Sequence, residues 1–371
     1  MMHRAKILLL IPHLGGGGAE RVTALLAEKL SPEKYEVHLC LITQDSVHSG
    51  AIPSSVQVYR LGARRVRTAA IPLIRLVWQL RPAVILSGMA HLNFLVLLLR
   101  LFFPPRTRVL VRQNGTVSSM LASGEQPILT KLLYRILYPR ADCVICQSRA
   151  MAQDIFGEVG ISPAKLAVLP NPVDIDTIRA RIRRSRHPFT GPGPHLLAIG
   201  RLSAEKGFDL LLEALALIKP RFPLADLTIA GQGPEESLLR AKGRRLKVDR
   251  SLRFTGQLDN PAALFRHATL FVVSSRYEGM PNVLLEAAAA GLPIAALPSS
   301  GGIVDLLTAK PGVFLACEIS ARALADAIIH ALHSVQPGER FQHSWIDEFH
   351  LDHAIGVYEG LIDATLKEEF A

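Results

Sequence analysis

Short apolar runs alternate with longer helix-like stretches along the whole chain. In residues 18–30, for example, Val22, Leu26 and Leu30 recur at a helical spacing, and a glycine-rich turn separates them from the apolar run 6–11. Runs that are apolar at every position are typical of strands buried on both faces, and their alternation with helices predicts doubly wound parallel sheets. The predicted strands are 6–11, 37–42, 56–59, 83–86, 109–112 and 143–146 in the first half, and 195–199, 227–230, 252–255, 270–274 and 294–297 in the second.

The alternation is interrupted once, by a basic segment rich in proline and glycine. Residues 179–194 read RARIRRSRHPFTGPGP, which is typical of a surface linker. A length of 371 residues also favours two domains. We therefore predict a Rossmann-like domain at 1–178, a linker at 179–194 and a second Rossmann-like domain at 195–345. No strand follows the last predicted helix, so we expect residues 346–371 to pack back on the first domain.

The composition is that of a globular protein in a reducing compartment. Hydrophobic residues make up 49% and charged residues 20%, which argues against a disordered or fibrous chain. Four cysteines are too few for a disulfide framework. Cys143 and Cys146 spell CxxC, but residues three apart on a strand point to opposite faces. The longest apolar helix, at 92–103, falls short of the roughly 20 residues that span a bilayer, so we expect a cytoplasmic protein or a peripheral one on the inner face of the membrane.

The net charge of +10 is concentrated in the first half of the chain. Residues 1–190 carry 25 basic and 11 acidic residues, whereas residues 191–371 carry 17 and 21. The first half should therefore meet an anionic partner, which could be a phosphorylated substrate, a membrane or a nucleic acid. The basic residues lie among apolar helices, which favours an anionic membrane as the partner. No nucleic-acid recognition motif is present and aromatic residues make up only 6%, so we expect no nucleic acid.

Two strand-to-helix turns carry features suited to phosphate. Ligands of parallel sheets bind outside the carboxyl ends of the strands, so these turns are where chemistry is expected. The first turn holds four glycines at 15–18, which let backbone approach a phosphate at a helix N-terminus. The second, at 200–207, holds Arg201 and Lys206, two cations that suit a diphosphate. A flexible turn or a solvated loop would look the same, so each signal alone leaves both interpretations open.

A third turn places two carboxylates close together. Seven residues separate Glu278, in a loop, from Glu286, about one turn into the helix that follows. Pro281 stands where a first helical residue is expected. Side chains of a helix lean toward its N-terminus, so both carboxylates can face one crevice beside a helix end. Carboxylates accept hydrogen bonds from sugar hydroxyls, and cations bind phosphates. A site that offers both kinds of contact suits a sugar nucleotide.

The motifs around these turns resemble the retaining GT-B glycosyltransferases of family 4, over roughly residues 5–335. The resemblance implies two Rossmann-like domains that face each other across a cleft, and transfer of a sugar from a UDP- or GDP-linked donor with retention of configuration. The donor-domain motifs are GRLSAEKGFDLLLEAL (200–215), IAGQGPE (229–235), FTG (254–256), SRYEGMPNVLLEAAAAGLP (275–293) and SGG (300–302). The acceptor-domain motifs are PHLGGGGAERV (12–22), SGMAHLNF (87–94), VRQNG (111–115), CQSRAMAQDI (146–155) and VLPNPVD (168–174).

The resemblance also implies roles for individual residues. Arg201 and Lys206 would hold the diphosphate and balance the charge of the leaving group. Glu286 would bind ribose hydroxyls, and Glu278, the first glutamate of the E-x7-E pattern, would lie beside the transferred sugar. The other implied donor contacts are Gly16, Gly17, Leu258 near the base, Gly279, Met280, Asn282 and the turn Gly301–Gly302.

The chain departs from the family pattern at one point. Many members carry a histidine near the sugar, after the fourth strand of the first domain, but here the segment reads Val111, Arg112, Gln113, Asn114. This segment resembles a subgroup with an Arg-Asn pair, which often acts on lipid-linked oligosaccharides with N-acetylated or galacto-type donors. We count Asn114 with Arg201, Lys206 and Glu278 as predicted catalytic residues. The implied reaction is a front-face displacement in which the leaving phosphate helps to deprotonate the acceptor.

A retaining hexosyltransferase that needs no metal and no cofactor other than its nucleotide-sugar co-substrate accounts best for these features. The DxD sequence at 174–176 binds metal in a different glycosyltransferase fold, but here it follows PNPV and matches a structural segment. We expect a UDP-linked hexose or N-acetylhexosamine donor and a glycan acceptor that is lipid-linked or part of lipopolysaccharide or cell-surface polysaccharide. A catalytically silent GT-B scaffold is the alternative, and a nicotinamide dehydrogenase would need a G-x-G-x-x-G turn that the sequence lacks.

Overall fold

The protein consists of two compact units. In the computed structural model, unit 1 comprises Met1–Pro172 with Leu351–Ala371, and unit 2 comprises Val173–His350. Each unit is built around its own parallel sheet. The residues that the structure describes are 4–15, 17–43, 52–123, 127–183, 188–189, 192–258, 260–336 and 338–367.

A seven-stranded parallel sheet lies at the centre of unit 1. Its strands are β1 (Ala5–Ile11), β2 (Tyr35–Leu41), β3 (Gln57–Arg60), β4 (Val84–Ser87), β5 (Arg108–Arg112), β6 (Cys143–Cys146) and β7 (Leu166–Val168). They pair in the order 3-2-1-4-5-6-7. The chain therefore builds the sheet outward in both directions from the neighbours β1 and β4, which are the topological switch point.

Helices cover both faces of this sheet. The side chains of Leu8 and Leu10 join one core, whereas those of Ile7 and Leu9 join the core on the opposite face, so β1 must be apolar throughout. The helices are α1 (Gly18–Lys29), α2 (Ala70–Leu80), α3 (Ala90–Leu99), α4 (Val117–Ser123), α5 (Pro127–Leu137) and α6 (Arg149–Val159). The first core is covered by α2, α3, α5 and α6, and the second by α1.

Unit 2 repeats the design with six parallel strands. They are β8 (His195–Ile199), β9 (Asp226–Ala230), β10 (Leu252–Phe254), β11 (Leu270–Val273), β12 (Ile294–Ala296) and β13 (Val313–Leu315), in the order 10-9-8-11-12-13. The switch point lies between β8 and β11, which pair directly. The helices are α7 (Ile175–Arg183), α8 (Phe208–Ile218), α9 (Glu236–Arg245), α10 (Ala262–His267), α11 (Asn282–Ala289), α12 (Ile303–Leu307) and α13 (Ala321–Ser334).

The C-terminal helix α14 (Leu351–Lys367) belongs to unit 1. Its buried face, which includes Tyr358, joins the core on the α1 side of the sheet. Glu359 accepts hydrogen bonds from the backbone N–H of Ser31 (2.8 Å) and from Lys34 Nζ (2.9 Å). The end of the chain is thus fastened to the segment that enters β2.

The observed boundaries differ from those expected from composition. The predicted first domain ended at residue 178 and the linker at 194, but unit 2 begins at Val173, and α7 is one of its helices. Ile175 is buried in the core of unit 2, and Ile178 and Ile182 pack against that core. The sequence pattern did not reveal this apolar stripe, because arginines lie between its isoleucines. The second domain, predicted to end at 345, extends to His350, because a 3-10 turn at Ser344–Phe349 buries Phe349 and its neighbour Ile346 in the same core.

The two cysteines of the CxxC sequence lie on opposite faces of the sheet, as the strand periodicity predicts. Cys143 joins the core beside α1, whereas Cys146 joins the core beside α2 and α3. Neither cysteine forms a disulfide, and burial raises the pKa of the Cys146 thiol to about 12. They therefore serve as packing residues. Among the described helices, none is both long and apolar enough to cross a bilayer.

Two buried histidines make stability sensitive to mild acid. Burial lowers the pKa of His38 and of His343 below the ordinary value of 6.5. Both are therefore neutral in the fold, whereas the unfolded chain binds the protons more readily. We expect the free energy of unfolding to decrease as the pH falls below about 6.5, and thermal denaturation between pH 8 and pH 5 measures this. His38→Phe should flatten the pH dependence, whereas the same change at exposed His353 should not; equal slopes in both variants would contradict the assignment.

Candidate functional site

The switch point of unit 2 brings together two of the turns that the sequence singled out. Because β8 and β11 are neighbours, the loops that leave their carboxyl ends lie side by side. Ser274 Oγ donates a hydrogen bond to the carbonyl oxygen of Lys206 (2.8 Å). The backbone N–H of Arg276 donates to the carbonyl oxygen of Glu205 (2.8 Å). Residues 200–207 and 274–281 therefore form one continuous surface.

Gly207 allows these loops to touch. It ends the 3-10 turn Ala204–Lys206 with a left-handed φ of +62°. A Cβ at this position would lie 2.0 Å from the carbonyl oxygen of Ser274. Both the backbone conformation and the close approach thus require glycine.

The contact at the centre of this surface is an ion pair between Lys206 and Glu278. Lys206 Nζ donates to Glu278 Oε1, and Ser275 Oγ donates to the same oxygen at 2.7 Å. The side chains of Lys206 and Glu278 are 22% and 11% exposed. A cation suited to phosphate and a carboxylate suited to sugar hydroxyls are thus adjacent, and both are largely shielded from solvent while keeping some access to it.

The turn 300–302, which follows the neighbouring strand β12, supports the backbone of Glu278. The backbone N–H of Glu278 donates to the carbonyl oxygen of Ser300 (3.1 Å). Gly301 has a φ of +104°, and a Cβ there would lie 1.6 Å from the carbonyl oxygen of Glu278. The SGG motif therefore positions the backbone that carries the carboxylate.

The remaining predicted donor residues after β11 occupy the start of α11. Pro281 takes the N-cap position, one residue earlier than predicted, and Asn282 is the first helical residue. Glu286 is buried in the second turn of the helix. Gly279 is buried between Glu278 and Met280, and the Met280 side chain packs in the core of unit 2. Met280 can therefore offer a ligand its backbone rather than its side chain.

Arg201 and Leu258 lie on the other side of the switch point. The Arg201 side chain is exposed and makes no hydrogen bond or ion pair with any described residue. Leu258 is partly exposed in the loop after β10, and β9 separates that strand from β8. The backbone N–H of Gly231 donates to the carbonyl oxygen of Gly256 (2.8 Å), which joins the loops after β9 and β10. Arg201 is thus near Lys206 in the same loop, while Leu258 stands two strands away.

Arg276 and Asp209 support this site, and the sequence reasoning missed both. Arg276 makes two 2.7 Å hydrogen bonds to the carboxylate of Asp209, and one of 2.8 Å to the carbonyl oxygen of Ala204. The bonds with Asp209 raise the pKa of Arg276 above its ordinary value. Arg276 thereby ties the loop of Glu278 to the loop of Lys206. The position of Arg276 inside the SRYEG motif was the sequence signal that could have identified it.

In unit 1, a buried arginine organises the predicted Asn114. Arg112, at the end of β5, is 2% exposed. Its guanidinium donates to Tyr358 Oη (3.2 Å), Asn114 Oδ1 (2.5 Å) and Asn171 Oδ1 (2.6 Å). No carboxylate of the described residues pairs with it. The cation is therefore held by neutral oxygens from three parts of the unit.

Asn114 is fixed at the carboxyl edge of the sheet. Its Nδ2 donates to the carbonyl oxygen of Gly88, directly after β4, and its Oδ1 also accepts from Gln147 Nε2 (3.0 Å), directly after β6. The amide therefore has one orientation, beside the switch point of unit 1. Tyr358 and Gln147 were not among the predicted site residues, because nothing in their local sequence links them to Asn114.

The glycine run after β1 is described in part. Gly17 is the N-cap of α1, and a Cβ there would lie 2.4 Å from the carboxylate of Glu20. The backbone N–H of Gly15 donates to His13 Nδ1 (3.1 Å). The predicted phosphate contact at Gly16 lies outside the described residues. A side chain at position 17 would thus displace the carboxylate of Glu20 from the start of α1.

The DxD sequence serves the start of α7. Asp174 Oδ1 accepts a hydrogen bond from the backbone N–H of Thr177 (3.0 Å), which caps the helix. Asp176 Oδ2 lies 3.3 Å from His350 Nε2. Within the described ranges, no cluster of three or more His, Cys, Asp or Glu side chains could share a metal ion.

Known families and structures match both units. Residues 193–334 match the model of glycosyl transferases group 1, and residues 16–177 match that of glycosyltransferase family 4. The N-acetylgalactosamine-N,N'-diacetylbacillosaminyl-diphospho-undecaprenol 4-alpha-N-acetylgalactosaminyltransferase of Campylobacter jejuni is 28% identical over 313 residues, which are 81% of this chain and 83% of that protein.

Solved structures agree over nearly the full length. Sucrose-phosphate synthase of Thermosynechococcus elongatus superposes with a TM-score of 0.79 at 19% identity, covering 99% of this chain and 100% of that one. Anabaena HepE in complex with UDP and glucose superposes with a TM-score of 0.77 at 19% identity, covering 97% and 100%. These likenesses establish the fold, and the two family models together account for most of the sequence. The chain belongs to the family 4, or group 1, glycosyltransferases and has their GT-B fold.

Proposed function

We propose that this glycosyltransferase moves a hexose or N-acetylhexosamine from a UDP-linked donor to a lipid-linked or cell-surface glycan, with retention of configuration. The observation that carries the proposal is the adjacency of Lys206 and Glu278 at the switch point of unit 2. A nucleotide sugar needs a cation for its diphosphate and an acceptor for its hydroxyls within one sugar's width. Two names support the choice of substrates: HepE was solved with UDP and glucose, and the Campylobacter relative is named for a diphospho-undecaprenol acceptor.

Unit 2 would hold the donor. In this proposal Arg201 and Lys206 bind the diphosphate, and the N-terminus of α11 at Asn282 adds backbone N–H groups. Glu278 accepts hydrogen bonds from the transferred sugar, and Glu286 from the ribose. The exposure of the Arg201 side chain supports the assignment, because it can turn toward an incoming anion without breaking another contact. Leu258, Gly279 and the backbone of Met280 would complete the pocket.

The proposed reaction breaks the bond between the anomeric carbon and the diphosphate, and forms a bond to the acceptor oxygen on the same face. The acceptor's hydroxyl proton passes to the departing phosphate oxygen. Arg201 and Lys206 stabilise the negative charge that develops on the diphosphate, as preorganised cations do in transition states. Asn114 would orient a substrate hydroxyl by hydrogen bonding, because an amide cannot take up the proton.

A panel of sugar nucleotides tests this proposal. Donor hydrolysis and UDP affinity are measured for the purified chain, and the anomeric configuration of the product is read by NMR. Release of UDP from one UDP-sugar together with retention supports the proposal, whereas inversion overturns the stereochemical part. UDP binding without turnover on any donor and acceptor would instead indicate the silent scaffold. We also propose the cytoplasmic side of the membrane as its location, which four cysteines without a disulfide support.

Turnover should survive removal of divalent metal ions. The diphosphate charge is balanced by Arg201 and Lys206 in the proposed complex, so initial rates with excess EDTA should match those without it. Asp176→Asn, a change at an exposed side chain of the DxD sequence, should likewise leave the rate unaltered. Loss of activity on chelation that manganese or magnesium restores would contradict this expectation and return Asp174 and Asp176 to consideration.

A further inference from the structure

One face of unit 1 exposes an unusual number of large apolar side chains. Helices α2, α3, α5 and α6 contact one another in that order and form a layer over the sheet. We call the solvent side of this layer the outer helix surface. Among the described residues, α1 and α14 on the opposite face expose none of this kind. The side chains of the outer helix surface are Ile71, Trp78, Leu98, Leu101, Phe102, Ile128, Leu129, Leu132, Ile136 and Phe156.

Helix α5 is apolar on both sides. One side buries Tyr134 and Leu137 in the core, whereas the other exposes Ile128, Leu132 and Ile136, which recur every four residues. Ile128 is 85% exposed. A surface helix normally shows one apolar stripe and one polar face, and contiguous exposed apolar side chains mark interaction sites. The exposed side of α5 therefore needs a partner.

The excess positive charge of the chain lies in the sequence range that carries these helices. Residues 60–160 carry 14 basic and four acidic residues, a balance of +10 that equals the net charge of the whole chain. The rest of the chain holds 28 of each sign. Arg75, Arg135 and Arg149 are exposed on α2, α5 and α6, while Lys131 pairs with Glu158 at 2.6 Å. Exposed cations thus lie on the same helices as the apolar side chains, and a complementary partner must be anionic.

We propose that the outer helix surface docks on an anionic phospholipid bilayer, with the exposed side of α5 entering the boundary between headgroups and acyl chains. Apolar side chains among arginines suit this boundary, whereas a second copy of the chain would bring two surfaces of like charge together. Gln113 Nε2, next to Asn114 in the chain, donates a hydrogen bond to Tyr134 Oη of α5 (3.0 Å), so α5 passes the sheet edge that holds Asn114. The proposed lipid-linked acceptor gives the reason why the protein would dock, so in that respect the inference rests on the proposed function. Docking itself is measured without transfer.

Co-sedimentation with vesicles tests the surface directly. The full chain should sediment with vesicles of phosphatidylglycerol and phosphatidylcholine, and much less with phosphatidylcholine alone. The attraction between basic residues and anionic lipid is electrostatic, and at 1 M salt screening acts within about 3 Å, so binding should weaken steeply with salt. Equal binding to both kinds of vesicle, or none to either, would overturn the proposal.

A matched pair of variants locates the contact. Leu132→Asp places a charge at the centre of the exposed side of α5, and Leu238→Asp makes the same change at an exposed helical leucine of unit 2. We expect Leu132→Asp to partition roughly tenfold more weakly, or weaker still, and the control to partition like the unmodified protein. Equal effects, or no effect of Leu132→Asp, would show that α5 is not the docking element. Unchanged UDP affinity and melting temperature confirm that both variants fold.

Tryptophan fluorescence supplies an independent readout. The chain has two tryptophans, Trp78 on the outer helix surface and Trp345 in unit 2. Brominated lipids in anionic vesicles should quench the Trp345→Phe variant, which retains Trp78, and spare the Trp78→Phe variant. The opposite pattern would place the membrane contact elsewhere. Docking by a chain that binds no UDP would refute the proposed function alone, whereas UDP binding without docking would refute this inference alone.

Discussion

Lys206→Ala is expected to weaken UDP binding by roughly tenfold or more, because a charge-assisted hydrogen bond contributes about 1.5–3 kcal/mol. The substitution removes the cation and leaves the Glu278 carboxylate unpaired where the diphosphate would lie. Repulsion between the two anions adds to the loss. Isothermal titration calorimetry with UDP measures the change directly.

Glu278→Gln should have a different signature. It removes a negative charge from the site and releases Lys206 Nζ, so affinity for UDP alone should stay the same or rise a few-fold. Transfer should fall roughly tenfold or more, because an amide accepts a weaker hydrogen bond from a sugar hydroxyl than a carboxylate does. Binding and turnover thus separate in one variant. Ser275 Oγ, which donates to Glu278, can still donate to the amide oxygen.

The control is a lysine of the same unit on the opposite edge of the sheet. Lys310 lies in the segment that enters β13, at the amino edge, so Lys310→Ala should leave UDP affinity unchanged. A double-mutant cycle of Lys206→Ala and Glu278→Gln should show strong coupling, since the two groups touch. Unchanged UDP affinity in Lys206→Ala, or equal losses in both lysine variants, would remove Lys206 from the diphosphate site.

The sequence predicted the fold and most of this neighbourhood because the relevant signals are local. Apolar runs and helical spacing identified the alternation, and each candidate turn directly follows its strand. The short edge strands β7 and β13 were missed, because three residues carry too little pattern to stand out. Helix α7 was missed because its apolar stripe is embedded in a segment rich in arginine.

Contacts made across the fold could not be predicted in the same way. The ion pair of Lys206 with Glu278 depends on β8 and β11 being neighbours, which is a property of the strand order. The bond of Arg112 to Tyr358 joins residues 246 positions apart. Asp209 resembles any acidic residue at the start of a helix until Arg276 is seen beside it. Such contacts arise from packing, and no local pattern encodes them.

Arg112 is the residue of unit 1 whose substitution should have the largest effect. The guanidinium donates to three side-chain oxygens that lie in different parts of the unit, on α14, after β5 and after β7. Lysine keeps the charge but lacks the planar fork that reaches three partners at once. Arg112→Lys would therefore leave buried oxygens without donors, at a cost of roughly 2–4 kcal/mol in the free energy of unfolding.

The same variant should reduce transfer while sparing the donor site. Asn114 would lose one of the three hydrogen bonds that hold its amide, and a group that is less precisely held in place reduces turnover by roughly tenfold or more. UDP affinity should change little, because Arg201 and Lys206 lie in unit 2. Tyr358→Phe removes one of the three bonds and should give an intermediate loss of stability with near-normal transfer, since Asn114 keeps its partner. Denaturant unfolding, UDP calorimetry and transfer rates on the three proteins check this order. A stable and fully active Arg112→Lys variant would show that the guanidinium does not organise Asn114 for transfer.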